Sequence, residues 1–355
     1  DGVLYTAQTL HKQHWSPISQ RIKIISGMNI ADKLSPQDGR FHYQIVTQVI
    51  DVRVSILPTF FGEKIVMRLL EAAQKPLSLD ELGMLPETAK VVTENLKKSY
   101  GMVLSCGPTG SGKTTTLYAL MDILNKPPVN IVTVEDPIEY NMRYVNQTQI
   151  NVQAGIAFAS GLRAILRQDP NIIMVGEIRD AETAGIAIQA ALTGHLLLSS
   201  LHTNDAPTVI PRLFDLEVPP FLVVSVLNVI LAQRLVRRIC QSCIYSYEAD
   251  ETIHGVIQNQ LVELGLEQSK VKLPRSFYRG NGCAACGNTG YRGRLGIFEV
   301  LEVNEGLKKI ILGHDFTLEK LRMAAREHGM GTMFEDGLRK VELAMTTIDE
   351  VLRVI

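Results

Sequence analysis

Residues 107 to 114 read Gly-Pro-Thr-Gly-Ser-Gly-Lys-Thr and satisfy every fixed position of the G-x-x-x-x-G-K-[ST] phosphate loop. No other segment limits the fold as much. Such a loop works only where a buried strand stops and a helix starts, because backbone N–H groups and the helix N-terminus must converge on one anion. The flanks supply both. Met102-Val103-Leu104-Ser105-Cys106 is a short apolar run suited to a buried parallel strand, and Thr115 to Leu124 reads as the helix. Gly107, Gly110 and Gly112 allow the tight turn, with Pro108, Thr109, Ser111 and Thr115 completing the cradle. Lys113 is placed to reach the outer phosphates and the Thr114 hydroxyl to reach Mg²⁺. A nucleoside triphosphate site on an α/β domain is therefore expected.

The chain has 355 residues, room for two or three domains. Its 36 Lys+Arg and 37 Asp+Glu leave a formal charge of −1, so no global field draws it to DNA or an anionic membrane. The apolar run Phe221 to Ala232 is close to a helical pattern but is broken by Ser225 and Asn228, and is shorter than the ~20 residues of a membrane span. A soluble chain, or one peripheral to a membrane, follows. Five cysteines, four of them in two C-x-x-C pairs, are too few and too patterned for a disulfide scaffold, which implies a reducing, cytosolic compartment. The first residue is Asp1 rather than Met, so the natural protein is expected to begin upstream.

Period-2 patterning in Phe41 to Ile45, Val49 to Val54 and Lys64 to Leu69 predicts an α+β domain over residues 1–85, closed by a Pro- and Gly-punctuated connector from Lys75 to Pro86. Alternating apolar strands and amphipathic helices over 86–235 predict a parallel sheet covered on both faces. A cysteine-bearing segment is expected over 236–298 and a helical tail over 299–355.

Three strand ends carry chemistry. Val134 delivers Glu135-Asp136-Pro137-Ile138-Glu139, an acidic cluster that suits Mg²⁺ or its waters, or else a solvated turn. Ile172 to Val175 delivers Gly176-Glu177, where Glu177 is placed to orient and deprotonate an attacking water, although Gly176 stands where a strand-end Asp is usual. His195 and His202 bracket the apolar run Leu196 to Leu201, as sensors of a terminal phosphate or as structural residues. Arg40, Arg53 and Arg68 are ordinary surface arginines taken singly, yet phosphoryl transfer often takes a guanidinium from another domain or subunit.

Cys240-Gln241-Ser242-Cys243 and Cys283-Ala284-Ala285-Cys286 offer four thiolates for a tetrahedral Zn²⁺, the alternative being two redox pairs. Residues 244–282 must then form an excursion clamped at its base. Cys106 reads as a small buried hydrophobe. Arginines 234, 237, 238, 275, 279, 292 and 294 gather around the cysteines. They suit a protein-docking or solvated face better than a nucleic-acid site, since no aromatic stacking set is interleaved.

In this order, the phosphate loop, Thr133 to Tyr140, Arg167 to Asp180, and Leu192-Thr-Gly-His195 through Leu201-His-Thr-Asn204 resemble the type II secretion and type IV pilus assembly ATPases of the GspE/PilB type. The resemblance extends to Pro36-Gln-Asp-Gly-Arg40, Leu235 to Cys240 and the tail from Asp336 to Ile355. It implies a RecA-like P-loop NTPase core preceded by a smaller, PAS-like α+β domain and followed by the tetracysteine zinc segment and helical tail. It further implies a cytoplasmic homohexamer at the inner membrane that hydrolyses ATP, with Mg²⁺, to drive assembly of pilin-like subunits. Its implied partners are a membrane platform protein and a cytoplasmic recruiting protein, with no direct nucleic acid. By the resemblance, Lys113 and Thr114 match the Walker A site, Glu135 and Glu139 the acidic box, Glu177 the catalytic glutamate, and His195 and His202 the histidine box. Arg40, Arg53 and Arg68 match arginines that approach the triphosphate. The Gly-Glu pair at 176–177 is a family trait, and the four cysteines favour assembly over retraction. The family's further N-terminal domain is not represented. A nucleotide-gated nucleic-acid-binding protein using the zinc segment is the alternative from another class.

Overall fold

The computed structural model describes all residues except 1, 2, 5, 46, 47, 72–74, 249, 267–270 and 272. Residues 2–75 with 139–141 make one compact unit, and residues 76–138 with 142–355 make another.

In the smaller unit, helix α1 (Trp15–Ile25) precedes an antiparallel sheet of β1 (Gln37–Ile45), β2 (Gln48–Thr59) and β3 (Gly62–Glu71), in that order. Alternation puts Val52, Val54 and Ile56 on the face packed with Ile22 and Met28, which leaves the opposite face for polar side chains. The register aligns Arg40 with Arg53 and Arg53 with Arg68, so the three arginines form a row across that second face. Like charges placed directly opposite destabilise a sheet unless an anion offsets them.

The larger unit starts with α2 (Pro86–Leu96), β4 (Gly101–Cys106), α3 (Lys113–Leu124), β5 (Ile131–Glu135), β6 (Val145–Gln149), α4 (Phe158–Ile165) and β7 (Ile172–Val175). It continues through α5 (Ala181–Leu192), β8 (Leu196–Leu201), α6 (Val209–Asp215), α7 (Pro220–Val226) and β9 (Leu227–Ile239). Then come β10 (Ile244–Tyr247), α8 (Glu251–Glu263), β11 (Phe277–Gly280), β12 (Tyr291–Glu302), α9 (Glu305–Ile311), α10 (Leu318–Glu327), α11 (Met333–Glu342) and α12 (Ile348–Val354). Seven strands form one sheet in the order β12-β9-β4-β8-β7-β5-β6, parallel throughout except that β12 runs antiparallel to β9. Every residue of β4, β5, β7 and β8 is buried, as near-continuous apolar strands covered on both faces should be.

The run from Phe221 to Ala232 is not one helix. It splits into α7 and the first half of β9, because strand burial on both faces demands the same unbroken apolar character as a buried helix. β9 crosses position 235 and β12 crosses position 298, so the cysteine segment is carried between two neighbouring strands of the main sheet. Within it β10 pairs with β11, while residues 249, 267–270 and 272 of the expected excursion lie outside the described residues.

Helices α9 to α12 are preceded by the N-cap residues Asn304, Thr317, Thr332 and Thr347, each side chain accepting from a backbone N–H in the first turn of its helix. Buried Asp336 and Lys340 of α11 pair with each other; Asp336 also accepts from Phe298 N–H at 2.8 Å, and Lys340 Nζ donates to the Gly296 carbonyl at 2.8 Å. These bonds tie the tail to β12.

Candidate functional site

Parallel strands bring their carboxyl ends to one edge of the sheet. There β4 runs into the phosphate loop, β5 ends at Glu135, β7 precedes Glu177 and β8 precedes His202. Gly112 caps α3 with φ +91°, a left-handed conformation that favours glycine. Lys113 curls over the loop, its Nζ donating to the carbonyls of Gly107 at 2.9 Å and Pro108 at 3.1 Å. Burial pushes the Lys113 ammonium below its ordinary pKa, so an anion brought here would be favoured by that charge. The buried Ser111 hydroxyl has no partner among the described residues, and Thr114 is exposed. This donor set fits a triphosphate and its Mg²⁺.

Glu177 stands just beyond the end of β7 with both carboxylate oxygens partnered. Its side chain is 12% exposed, with Oε2 3.1 Å from His202 Nε2 and Oε1 2.5 Å from Arg179 Nη2. The turn that presents it is fixed by the Ser200 hydroxyl donating to the Gly176 carbonyl at 2.7 Å. Glu135 differs. It is buried and accepts from Tyr118, from Thr133 Oγ1 at 2.6 Å and from Gln147 Nε2 at 3.1 Å. Its carboxylate stitches α3, β5 and β6 together just behind the loop.

The two histidines part company. His195 lies across from the start of β4, where its backbone carbonyl accepts from Gly101 N–H and its ring Nδ1 sits 2.9 Å from the Ala190 carbonyl at the end of α5. Seven residues of extended chain separate it from His202 by roughly 20 Å. The structure therefore brings His202, and not His195, to Glu177. In the smaller unit, Arg53 Nη1 lies 3.7 Å from Glu139 Oε2, and Arg40 and Arg68 stand in its row.

The four cysteine sulfurs lie within 4.8 Å of one another. The spacings Cys240–Cys283, Cys243–Cys286 and Cys283–Cys286 are 3.8, 3.9 and 3.7 Å. A tetrahedral ion with metal–sulfur bonds of about 2.3 Å requires sulfur–sulfur edges of about 3.8 Å, so the residues fit a metal. N–H groups of Cys283 and Gly290 point at Cys286 Sγ at 3.2 and 3.3 Å. Several nearby arginines are engaged within the chain. Arg237 donates to Glu350 and covers the Tyr291 ring, Arg279 pairs with Asp349, and Arg234 donates to Asn204. Such ties leave less of a basic surface for nucleic acid than the sequence suggests.

Two further residues of this edge, Arg179 and Gln233, have no role assigned from the sequence. Arg179 stands inside the Gly-Glu-Ile-Arg-Asp box without a stated role, and Gln233 is a buried amide that ends the apolar run Val229 to Ala232 of β9. A polar side chain inside a strand buried on both faces is the only sequence signal for it.

A doubly covered, mainly parallel sheet with a strand–phosphate loop–helix unit and a glutamate at a neighbouring strand end defines a P-loop nucleotide-binding protein. The sequence matches the family described as Type II/IV secretion system protein over residues 1–353, and the chain belongs to that family. It is 45% identical over 353 residues to the type IV pilus assembly ATPase PilB of Thermus thermophilus, which covers 99% of this chain and 39% of that protein. Identity to the type II secretion system protein E of Pseudomonas aeruginosa is 45% over 354 residues, covering 100% of this chain and 68% of the relative. Among solved structures, the Legionella pneumophila ATPase DotB superposes with a TM-score of 0.69 at 20% identity, covering 98% of this chain and 85% of DotB. That likeness establishes the shared fold.

Proposed function

We propose that this chain is the motor portion of a type II secretion or type IV pilus assembly ATPase. The carrying observation is Glu177 at the phosphate-loop edge, with His202 and Arg179 on its two oxygens. Loop amides and Lys113 bind the phosphates, while Thr114 would hold Mg²⁺, which neutralises phosphate charge. Glu177 orients water and takes its proton, and His202 positions that carboxylate and responds to the terminal phosphate. Glu135 and Glu139 form the acidic box, Glu135 by fixing α3 behind the loop. The arginine row of Arg40, Arg53 and Arg68 supplies guanidinium groups for the triphosphate, which would also relieve the repulsion within the row.

The four cysteines hold Zn²⁺ and close the base of the excursion. The division into domains at 1–85, 86–235, 236–298 and 299–355 belongs to this reading, as does His195 as a residue acting at the far end of β8. The working form is a homohexamer at the cytoplasmic face of the inner membrane, reached through a platform protein and a recruiting protein. No helix among the described residues is long and apolar enough to cross a membrane.

Titration of the wild type and Lys113→Ala with ATP tests the binding half. Tight binding by the wild type and a loss of about tenfold to a hundredfold in the variant are expected, because charge-assisted contacts are removed. Equal affinity would overturn the placement of the phosphates.

A further inference from the structure

We propose that Gln233 is a positioning residue that sets the orientation of the phosphate loop's last peptide. This rests on the nucleotide reading above and extends it to a residue outside every motif. Gln233 is 1% exposed, on the strand next to β4. Its Nε2 donates to the Ser111 carbonyl at 2.7 Å, and its Oε1 accepts from the Ser105 hydroxyl at 3.3 Å. One side chain thus links the strand entering the loop to the residue leaving it.

The consequence follows from peptide geometry. The carbonyl of Ser111 and the N–H of Gly112 belong to one planar trans unit and point in opposite directions. Anchoring that carbonyl on β9 turns the Gly112 N–H away from β9. Among the described residues this N–H makes no hydrogen bond, so the orientation is not set by an intrachain acceptor on its own side. It is set from behind by Gln233. The same strand also fixes how closely the loop may approach, since a Cβ at Gly107 would lie 2.6 Å from the Gln233 carbonyl. Without the amide, Ser111's carbonyl is a buried acceptor lacking its donor, and the peptide is free to rotate toward another one. The cradle then loses one preoriented amide.

Gln233→Met keeps the volume and removes both hydrogen bonds. Calorimetric titration with ADP is expected to show affinity roughly tenfold to a hundredfold below wild type. Gln233→Glu supplies a second readout. Ionised at about pH 8.5 it cannot donate to Ser111, but protonated at about pH 6 its O–H can. Its ADP affinity should therefore recover toward wild type as pH falls, while the wild type changes little, a behaviour that mere packing would not produce. Gln233→Met binding ADP within about twofold of wild type, or a pH-independent Gln233→Glu, would overturn the inference. Should the methionine variant not fold, the pH profile decides alone. A wild type that fails to bind ADP would instead overturn the nucleotide reading beneath it.

Discussion

Both oxygens of Glu177 are engaged, Oε1 by Arg179 and Oε2 by His202. Each carboxylate oxygen keeps a further lone pair, so these two partners hold the orientation of Glu177 and leave it able to accept from a water. Arg179, 63% exposed, has the freer side chain. Arg179→Ala should change turnover by more than it changes ATP affinity; parallel changes of similar size in kcat and KM would assign Arg179 to uniform binding instead. Glu177 stands out in the sequence because a charged residue one glycine beyond a fully apolar strand has few structural reasons to be there. His195 precedes β8 and His202 follows it, so in a parallel sheet only His202 stands at the loop edge, although the resemblance joins both in one histidine box. Gln233 escaped because its partner Ser111 lies 122 positions earlier in the chain, a distance no local pattern spans.

At the level of elements, the strand–loop–helix unit and the cysteine pairs were readable from spacing, whereas the antiparallel β12 was not. Long-range pairing decides it, and β12 lies beyond an excursion of the chain. Metal analysis of the purified protein should find one Zn²⁺ per chain, and chelation should increase hydrogen exchange across residues 236–298; metal-free protein with unchanged exchange would end that assignment. Helix α12 yields a pH prediction. Burial opposes the charge of Glu350, yet donors on Arg353 and Arg237 outweigh it and hold the carboxyl down to about 2, from an ordinary 4.5. The unfolded chain thus binds this proton at higher pH than the folded one. The stability it confers is complete above about pH 4.5 and is lost as pH falls toward 2. Glu350→Gln should cost about 2 kcal/mol at neutral pH and flatten the acid limb of a denaturation series between those values.

For the molecule as a whole, the sequence carried the class of fold and the family, but not the alignment of the arginines. Arg40, Arg53 and Arg68 lie on three different strands, and only the register of β1, β2 and β3 reveals that they share a row. If the row acts on the transferred phosphoryl group, Arg40→Ala should lower hydrolysis at least about tenfold while nucleotide affinity stays nearly constant; equal losses would point to simple binding. The central claim is that the phosphate loop and Glu177 form a hydrolytic site. It is tested most directly by phosphate release from ATP by the wild type and Glu177→Gln, with ATP binding measured on both. The expected result is undiminished ATP binding by Glu177→Gln with turnover at least about 100-fold slower, as the loss of a general base requires. Wild-type turnover in that variant would contradict it.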